Sequence, residues 1–503
     1  MNLRAVARML GIVLVLVAGF ELVPAAVGVY FREWEAALDC LLAAAVSATL
    51  GALAAFVFRG NANRETRQAD FFRREGLATV GLSWLVVGVA GALPYLFHGT
   101  FEGFVDAFFE SVSGFTTTGS TVLSVEGIEG MPQAIAFWRS FTHWLGGFGI
   151  VMVFVVLFPT GGRSLFRSEV PGIAREAGHQ RVRDSALSLM RIYVGISAVE
   201  FMFLLLAGMG VFDALLHTFG TIATGGFSNR GDSVAYYGSF PIELVITVFM
   251  FLSGFNFAIY DTLLRVGPRP AWRRVMGSLE AQTYVGLTVG ATVVIGLVLW
   301  FWGGSNGVEG TGLEDYRSLT RCLRDSMFQV VCLITSTGFA TADFDEWPQV
   351  CRMLLMFLCF VGACAGSTGG GLKVVRFLIV WKASIAGVQR FIRPRAIHQV
   401  RMDGQSLDEG VVASVTGYFA LWILVFVAGT LFLAAFGIEL ETGSTAVLAT
   451  LNNIGPGLAG VGPVMNFAEL PGPVKFVLSI FMILGRLEFY AVVALVVPGF
   501  WKR

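Results

Sequence analysis

An all-α integral membrane protein is the fold class this sequence predicts: two N-terminal helices, then four pseudo-repeats of helix, short re-entrant helix with a loop, and helix, set around a central pore. Three observations carry that prediction. Of the 503 residues, 55% are hydrophobic and 14% charged, whereas soluble domains carry about 25% charged residues. Uncharged runs such as Gly11 to Phe20 and Leu244 to Phe257 recur along the whole length, which indicates many spans rather than one anchor. The connecting segments alternate between basic and acidic, as the two sides of a membrane require. The formal net charge is zero, so nothing in it suggests a nucleic-acid partner.

The first apolar stretch follows Arg4 and Arg8 and runs to Tyr30. That is too long for the apolar region of a signal peptide, and a second stretch follows at once, so it reads as a first span. Stretches long enough to cross about 30 Å of hydrocarbon lie near residues 8–30, 37–58, 77–98, 134–158, 187–210, 240–264, 282–302, 349–383, 411–436 and 473–498. The Gly-rich interruption in the eighth splits that helix. Cys40, Cys322, Cys332, Cys351, Cys359 and Cys364 form no Cys-x-x-Cys pair and read as small buried hydrophobes.

One set of loops is basic. It holds Arg59, Arg64, Arg67, Arg73 and Arg74; Arg163, Arg167, Arg175, Arg181 and Arg183; Arg265, Arg269, Arg273 and Arg274; and Lys373, Arg376, Lys382, Arg390, Arg393, Arg395 and Arg401. The other is acidic or mixed, with Glu102, Asp106, Glu110, Glu126 and Glu129, then Asp343, Asp345 and Glu346. The positive-inside rule puts the basic set and both termini in the cytoplasm. An even number of spans separates successive basic loops, so charge and count agree.

On the acidic side, four successive pairs of spans each enclose a segment too short to cross. These segments run from Asp106 to Thr116-Thr117-Thr118-Gly119, from Asp213 to Ala223-Thr224-Gly225, from Asp325 to Ser336-Thr337-Gly338, and from Ser444 to Asn453-Ile454-Gly455. The internal repeat divides the chain into residues 1–75, the two N-terminal helices, and repeats at 76–184, 185–278, 279–408 and 409–503.

Non-helical backbone survives at membrane depth where it is buried or lines a watery cavity. A half-helix entering from the acidic side aims its carbonyl end, with partial negative charge, at the membrane centre. Thr-x-Gly stretches can then turn carbonyls inward, and four of them would form a ring of oxygens that replaces an ion's hydration shell. The loops contain no carboxylate cluster, so a divalent-ion cage fits poorly. Taken singly, each loop could equally be an ordinary helix end; fourfold recurrence on one side favours the ring.

Thr116 to Gly119, Ala223 to Ser228, Thr335 to Asp343 and Asn452 to Gly457 resemble the four filter loops of the Trk/Ktr/HKT potassium transporters. The two extra N-terminal spans resemble the Trk-type branch. The resemblance covers nearly the whole chain and implies a fourfold pseudosymmetric pore within one chain, dimerised with a second copy. It implies potassium as the substrate, no bound cofactor, and no enzymatic activity. The bacterial cytoplasmic membrane is the implied location. The resemblance aligns the filter glycines with Gly119, Gly225, Gly338 and Gly455. Plant relatives with serine at the first position favour sodium; glycine at 119 therefore implies potassium. A cytosolic TrkA-like nucleotide-binding regulatory subunit would dock on the basic loops.

Gly366-Ser367-Thr368-Gly369-Gly370-Gly371 leads to Lys373 within the eighth apolar stretch. Three consecutive glycines in a helix each cost about 1 kcal/mol relative to alanine, so the helix breaks there. No Lys-Ser/Thr pair follows as a phosphate-binding loop requires. Close packing of small residues is the plain alternative; the resemblance implies an intramembrane loop obstructing conduction. Arg486 sits inside the last span, where a charge needs a pore or a partner. Pairing with Glu488 or another carboxylate is one reading, and a pore charge below the filter, implied by the resemblance, is the other. Glu200 reads as packing or an ion pair, and His143 and His217 as core hydrogen-bonding residues. Asp106, Glu110, Asp213 and Asp325 either concentrate cations at the mouth or, for the aspartates, cap the half-helices. A transporter of organic solutes would need a larger cavity. A membrane enzyme would need a catalytic set at one depth, which the sequence lacks.

Overall fold

The computed structural model describes residues 2–58, 74–157, 179–305, 316–394, 399–487, 489, 495 and 497–501. Arg59, Arg64, Arg67, Arg73, Arg163, Arg167, Arg175, Arg395 and Glu488 lie outside them. The fold is helical, with a single two-stranded hairpin, Arg401–Met402 and Gln405–Ser406, among the described residues.

Helices Leu3–Phe31 and Trp34–Val57 form an antiparallel pair joined at Arg32, whose left-handed backbone closes the first helix. Four repeats follow. The first comprises Arg74–His98, half-helix Phe104–Phe115 and Gln133–Leu157. The second comprises His179–Leu206, half-helix Val211–Ile222, and the pair Phe240–Ser253 and Phe257–Val266. In the third, Leu279–Ser305 precedes half-helix Leu319–Ile334, then Gln349–Val361 and Val374–Ile392. The fourth consists of Glu409–Ala435, half-helix Leu440–Leu451 and Gly472–Arg486. Outward-facing residues such as Phe56, Leu206, Leu424 and Leu431 are exposed large hydrophobics, as a lipid-facing surface requires. The half-helices are buried within the bundle; Phe108, Phe109 and Val112 belong to its main apolar cluster.

Ion pairs tie neighbouring repeats together at the half-helix level. Lys475 meets Asp106 at 2.6 Å, Arg324 meets Glu243 at 2.6 Å, and Arg352 meets Glu441 at 2.5 Å. These pairs bridge repeats four to one, three to two and three to four.

Three expectations need correction. The sixth span is not continuous: it breaks at Gly254–Asn256 and turns by 91°. The signal is the Ser-Gly-Phe-Asn sequence inside the apolar run, where the Asn256 side chain accepts from Ala258 N at 2.9 Å and caps the next helix. Helix Gly472–Arg486 carries Arg486 at its end rather than in its interior, so the guanidinium sits at a helix C-terminus, where a positive charge is favoured. The aspartates do not cap the half-helices. Gly103, Gly210 and Ser318 hold those positions; Asp106 and Asp213 lie inside the first turn and bind Lys475 and Arg230, while Asp325 lies mid-helix beside Arg321.

Candidate functional site

All four half-helices end the same way. The residue after the C-cap is left-handed in each: Thr117, Thr224, Ser336 and Asn453, with φ of 55°, 56°, 58° and 53°. Its N–H bonds back to Gly114, Thr221, Leu333 or Thr450. The next N–H reaches one residue further, from Thr118 to Ser113 O at 2.9 Å, Gly225 to Gly220 O, Thr337 to Cys332 O, and Ile454 to Ala449 O, each of these three at 2.8 Å. This double closure is a Schellman motif. Non-glycine residues in that region cost on the order of 1–3 kcal/mol each, so four of them imply strong support from their surroundings. Hydroxyls supply some of it: Thr116 Oγ1 lies 2.7 Å from Thr118 Oγ1, and Thr335 Oγ1 lies 2.8 Å from Thr337 Oγ1.

The shared motif fixes the register. Gly119, Gly226, Gly338 and Gly455 occupy equivalent places, two residues past the left-handed one. Gly225 instead matches Thr118, Thr337 and Ile454. The second loop therefore differs by one residue from the alignment that the sequence motif implied, because two glycines stand together there. Gly119, Gly226 and Gly338 share φ of 83°, 78° and 87°. The same four glycines line a cavity of about 100 Å³ on the side where the half-helices begin.

The loops close into a ring. A Cβ on Gly119 would lie 2.0 Å from Gly225 O, and one on Gly226 would lie 2.1 Å from Thr337 O. One on Gly338 would lie 2.9 Å from Gly455 N, and one on Gly455 would lie 3.1 Å from Gly119 O. Each loop thus touches the next, with a backbone oxygen crowding the neighbouring glycine at three of the four contacts and the Gly455 nitrogen at Gly338. Side chains have no room at Gly119 or Gly226. The fourth quarter departs: Asn453 Nδ2 donates to Thr118 Oγ1 at 3.0 Å and to Met482 O at 2.8 Å, and Gly455 O accepts from Ser120 Oγ at 2.9 Å.

Directly behind the third and fourth loops lies the segment between Val361 and Val374. Gly362, Gly366, Gly371 and Lys373 are all left-handed, so the sequence reading of a broken helix holds. Gly370 N donates to Ser336 Oγ at 2.7 Å. A Cβ on Gly370 would lie 2.5 Å from Asn452 O, and one on Gly369 would lie 2.8 Å from Thr335 O. Lys373 Nζ donates to Gly369 O. Glu280 accepts from Ala365 N at 2.6 Å. The break in the sixth span docks here too: Cys364 N donates to Gly254 O at 3.1 Å and Phe257 N to Gly366 O at 2.9 Å. Arg486 crosses the centre, donating from Nη1 to Thr368 O at 2.8 Å and from Nη2 to Gly146 O at 3.1 Å. It thereby joins the third repeat's loop to the first repeat's return helix.

The comparisons with known proteins agree with this geometry. A family model described as TrkH, cation transport protein, matches residues 44–502. The chain belongs to the TrkH family. The Trk system potassium uptake protein TrkH of Salmonella typhimurium is 35% identical over 508 residues, covering all of both chains. TrkG of Escherichia coli is 31% identical over 434 residues, covering 85% of this chain and 86% of that one. The crystal structure of the potassium transporter TrkH from Vibrio parahaemolyticus matches with a TM-score of 0.87 at 33% identity, over the whole of both chains.

Within this TrkH-family chain, some residues at the loops had no role in the sequence motif. Glu110 is not a free mouth carboxylate: it is fully buried, 2.6 Å from Arg139 Nε. His143 is buried, with Nδ1 2.7 Å from Gly114 O and its ring 4.1 Å from that of Phe227. His217 stacks on Phe339 with Nδ1 2.8 Å from Asp213 O. Glu200 is buried in helix His179–Leu206 without an ion-pair partner among the described residues. Glu110, His143, His217 and Glu200 were visible in the sequence as polar groups in apolar surroundings, but not the groups they meet, such as Arg139 for Glu110 and the Phe227 and Phe339 rings from neighbouring repeats for the two histidines.

Proposed function

We propose that this chain is the membrane subunit of a potassium-uptake system, with the ring of four loops as its selectivity filter. The observation that carries the reading is ring closure, in which four equivalent loop ends each pack their glycine against the backbone of the next loop, the arrangement that a ring of backbone oxygens around an ion would need. The filter comprises Thr116, Thr117, Thr118 and Gly119; Ala223, Thr224 and Gly225, with Gly226 added by the structural register; Ser336, Thr337 and Gly338; and Asn453, Ile454 and Gly455. Potassium is substrate rather than cofactor, and the chain is a transporter, not an enzyme. The chain divides into two N-terminal helices, residues 1–75, and four pore repeats at 76–184, 185–278, 279–408 and 409–503.

The loop from Gly366 through Ser367, Thr368, Gly369, Gly370 and Gly371 to Lys373 acts as the gate, with Arg486 as its electrostatic pin. Its hydrogen bonds to Ser336 and Arg486 support this role. The protein sits in the bacterial inner membrane with both termini cytoplasmic, pairs as a homodimer, and is regulated by a cytosolic TrkA-like nucleotide-binding subunit on its basic loops.

Potassium and sodium flux into liposomes, comparing the wild type with Gly119→Ser, tests the reading. Wild-type protein should pass potassium over sodium, and the variant should lose that preference. Absence of monovalent-cation flux under every activating condition would sink it.

A further inference from the structure

The position six residues before the half-helix C-cap does one job in three of the four repeats. With Thr116, Ala223, Thr335 and Asn452 as the caps, that position holds Glu110, His217, Gln329 and Ala446. Glu110 accepts from Thr121 Oγ1 at 2.9 Å and from Val122 N at 3.1 Å. His217 Nε2 lies 3.3 Å from Ser228 Oγ, and Gln329 Nε2 donates to Thr341 Oγ1 at 3.4 Å. Ala446 offers no polar atom, and its neighbour Thr445 accepts from Leu458 N at 3.0 Å instead. Each of these groups braces the segment that leaves its loop, and Glu110 is the one among them that is held in an ion pair.

In the first quarter the brace is joined to a cation from the return helix. Arg139 and Glu110 are 4% and 0% exposed. The guanidinium donates from Nε to Glu110 and from Nη1 to Ser228 O at 2.7 Å, and it lies 3.6 Å over the Phe227 ring. Glu110 thus holds the strand after Gly119 while Arg139 holds the strand after Gly226. The ion pairs described above cross the other three seams between repeats; Arg139 crosses the seam between repeats one and two.

The fourth quarter shows what the same fold does without the pair. Gly146 and Gly485 both seat against the last carbonyl of their own half-helix, at Phe115 and Leu451, so Arg139 corresponds to Leu478. Leu478 and Ala446 are both fully buried. Replacing a buried ion pair with packed apolar groups is often neutral or stabilising, so stability alone does not account for Glu110 and Arg139. What they add is direction: short, charge-assisted bonds at fixed angles.

We propose that Glu110 and Arg139 form a positioning clamp that sets the spacing of the first and second loops, and with it the discrimination between potassium and sodium. The proposal rests on the filter reading above. Potassium and sodium differ in radius by a few tenths of an ångström, so a slack seam would blur the choice.

The test is Glu110→Ala with Arg139→Leu in the full-length chain, which repeats in the first quarter the residues of the fourth. Thermal midpoint, rubidium influx and sodium influx in liposomes are measured against wild type. The double variant should keep its midpoint and conduct rubidium, with the sodium-to-rubidium permeability ratio raised about tenfold, equivalent to about 1.4 kcal/mol. Arg139→Lys, which keeps the charge but not the fork, should fall between. A folded double variant with a wild-type ratio would overturn the clamp. If the double variant fails to fold, Glu110→Gln and Arg139→Lys decide by the same ratio. A wild-type protein that does not discriminate would instead overturn the filter reading, and the clamp with it.

Discussion

Arg486 donates to the carbonyl of Thr368 at 2.8 Å, across a separation of 118 residues in sequence. One end of this bond is the last residue of helix Gly472–Arg486, and the other is the middle of the Gly-rich segment behind the loops. The bond therefore ties that segment to the end of helix Gly472–Arg486.

Arg486→Ala removes both the charge and the bond. A hydrogen bond to a charged group contributes about 1.5–3 kcal/mol, so the closed arrangement should weaken by roughly one to two orders of magnitude. Rubidium leak into liposomes should rise without any partner protein, and Arg486→Lys should give a smaller rise. Unchanged leak in both variants would make the arginine a purely structural residue.

Glu280 anchors the start of the same segment through Ala365 N at 2.6 Å. Glu280→Gln keeps the shape but weakens a charge-assisted acceptor. Basal rubidium flux should increase several-fold with the potassium preference intact. A change in preference without a change in basal flux would contradict the assignment to the gate.

The one-residue register in the second loop can be read chemically. A Cβ on Gly225 would strike the His143 ring at 2.5 Å, whereas one on Gly226 would strike Thr337 O at 2.1 Å from a φ of +78°. Gly225→Ala should therefore be rescued by trimming the ring with His143→Ala. Gly226→Ala should not be, because backbone cannot be trimmed. Paired flux measurements on the four proteins distinguish the two glycines.

Gly146 and Gly485 are the seats of the first and fourth half-helices, with a Cβ 1.8 Å from Phe115 O and 2.2 Å from Leu451 O. Alanine at either should overpack the bundle by about 1–3 kcal/mol. The thermal midpoint in detergent should fall for both, while Gly195→Ala, where a Cβ meets nothing within 4 Å, should leave it unchanged.

Much of this architecture is legible from composition and order. The apolar stretches, the Gly-rich break before Lys373 and the four Thr- or Asn-bearing loop ends appear in the sequence because each depends on local propensity and periodicity. The turn at Gly254–Asn256 was also locally signalled, but the apolar run around it masked the break. Glu110 stood out as a charge, but its partner Arg139 lies 29 residues away, with nothing in the sequence to pair them.

By itself the sequence determined the fold class, the repeat and the neutral oxygen chemistry of the loops, since burial pattern and helix-breaking residues act over a few positions. Only the tertiary structure decided the register of the second loop, the seat of Arg486 and the Glu110–Arg139 pair. The reason is that each depends on groups brought together by packing: Arg139 meets Glu110 from 29 residues away, Arg486 meets Thr368 from 118, and Asn453 meets Thr118 from 335. Packing four similar units around one axis selects such contacts, and no single unit contains the information that specifies its neighbour.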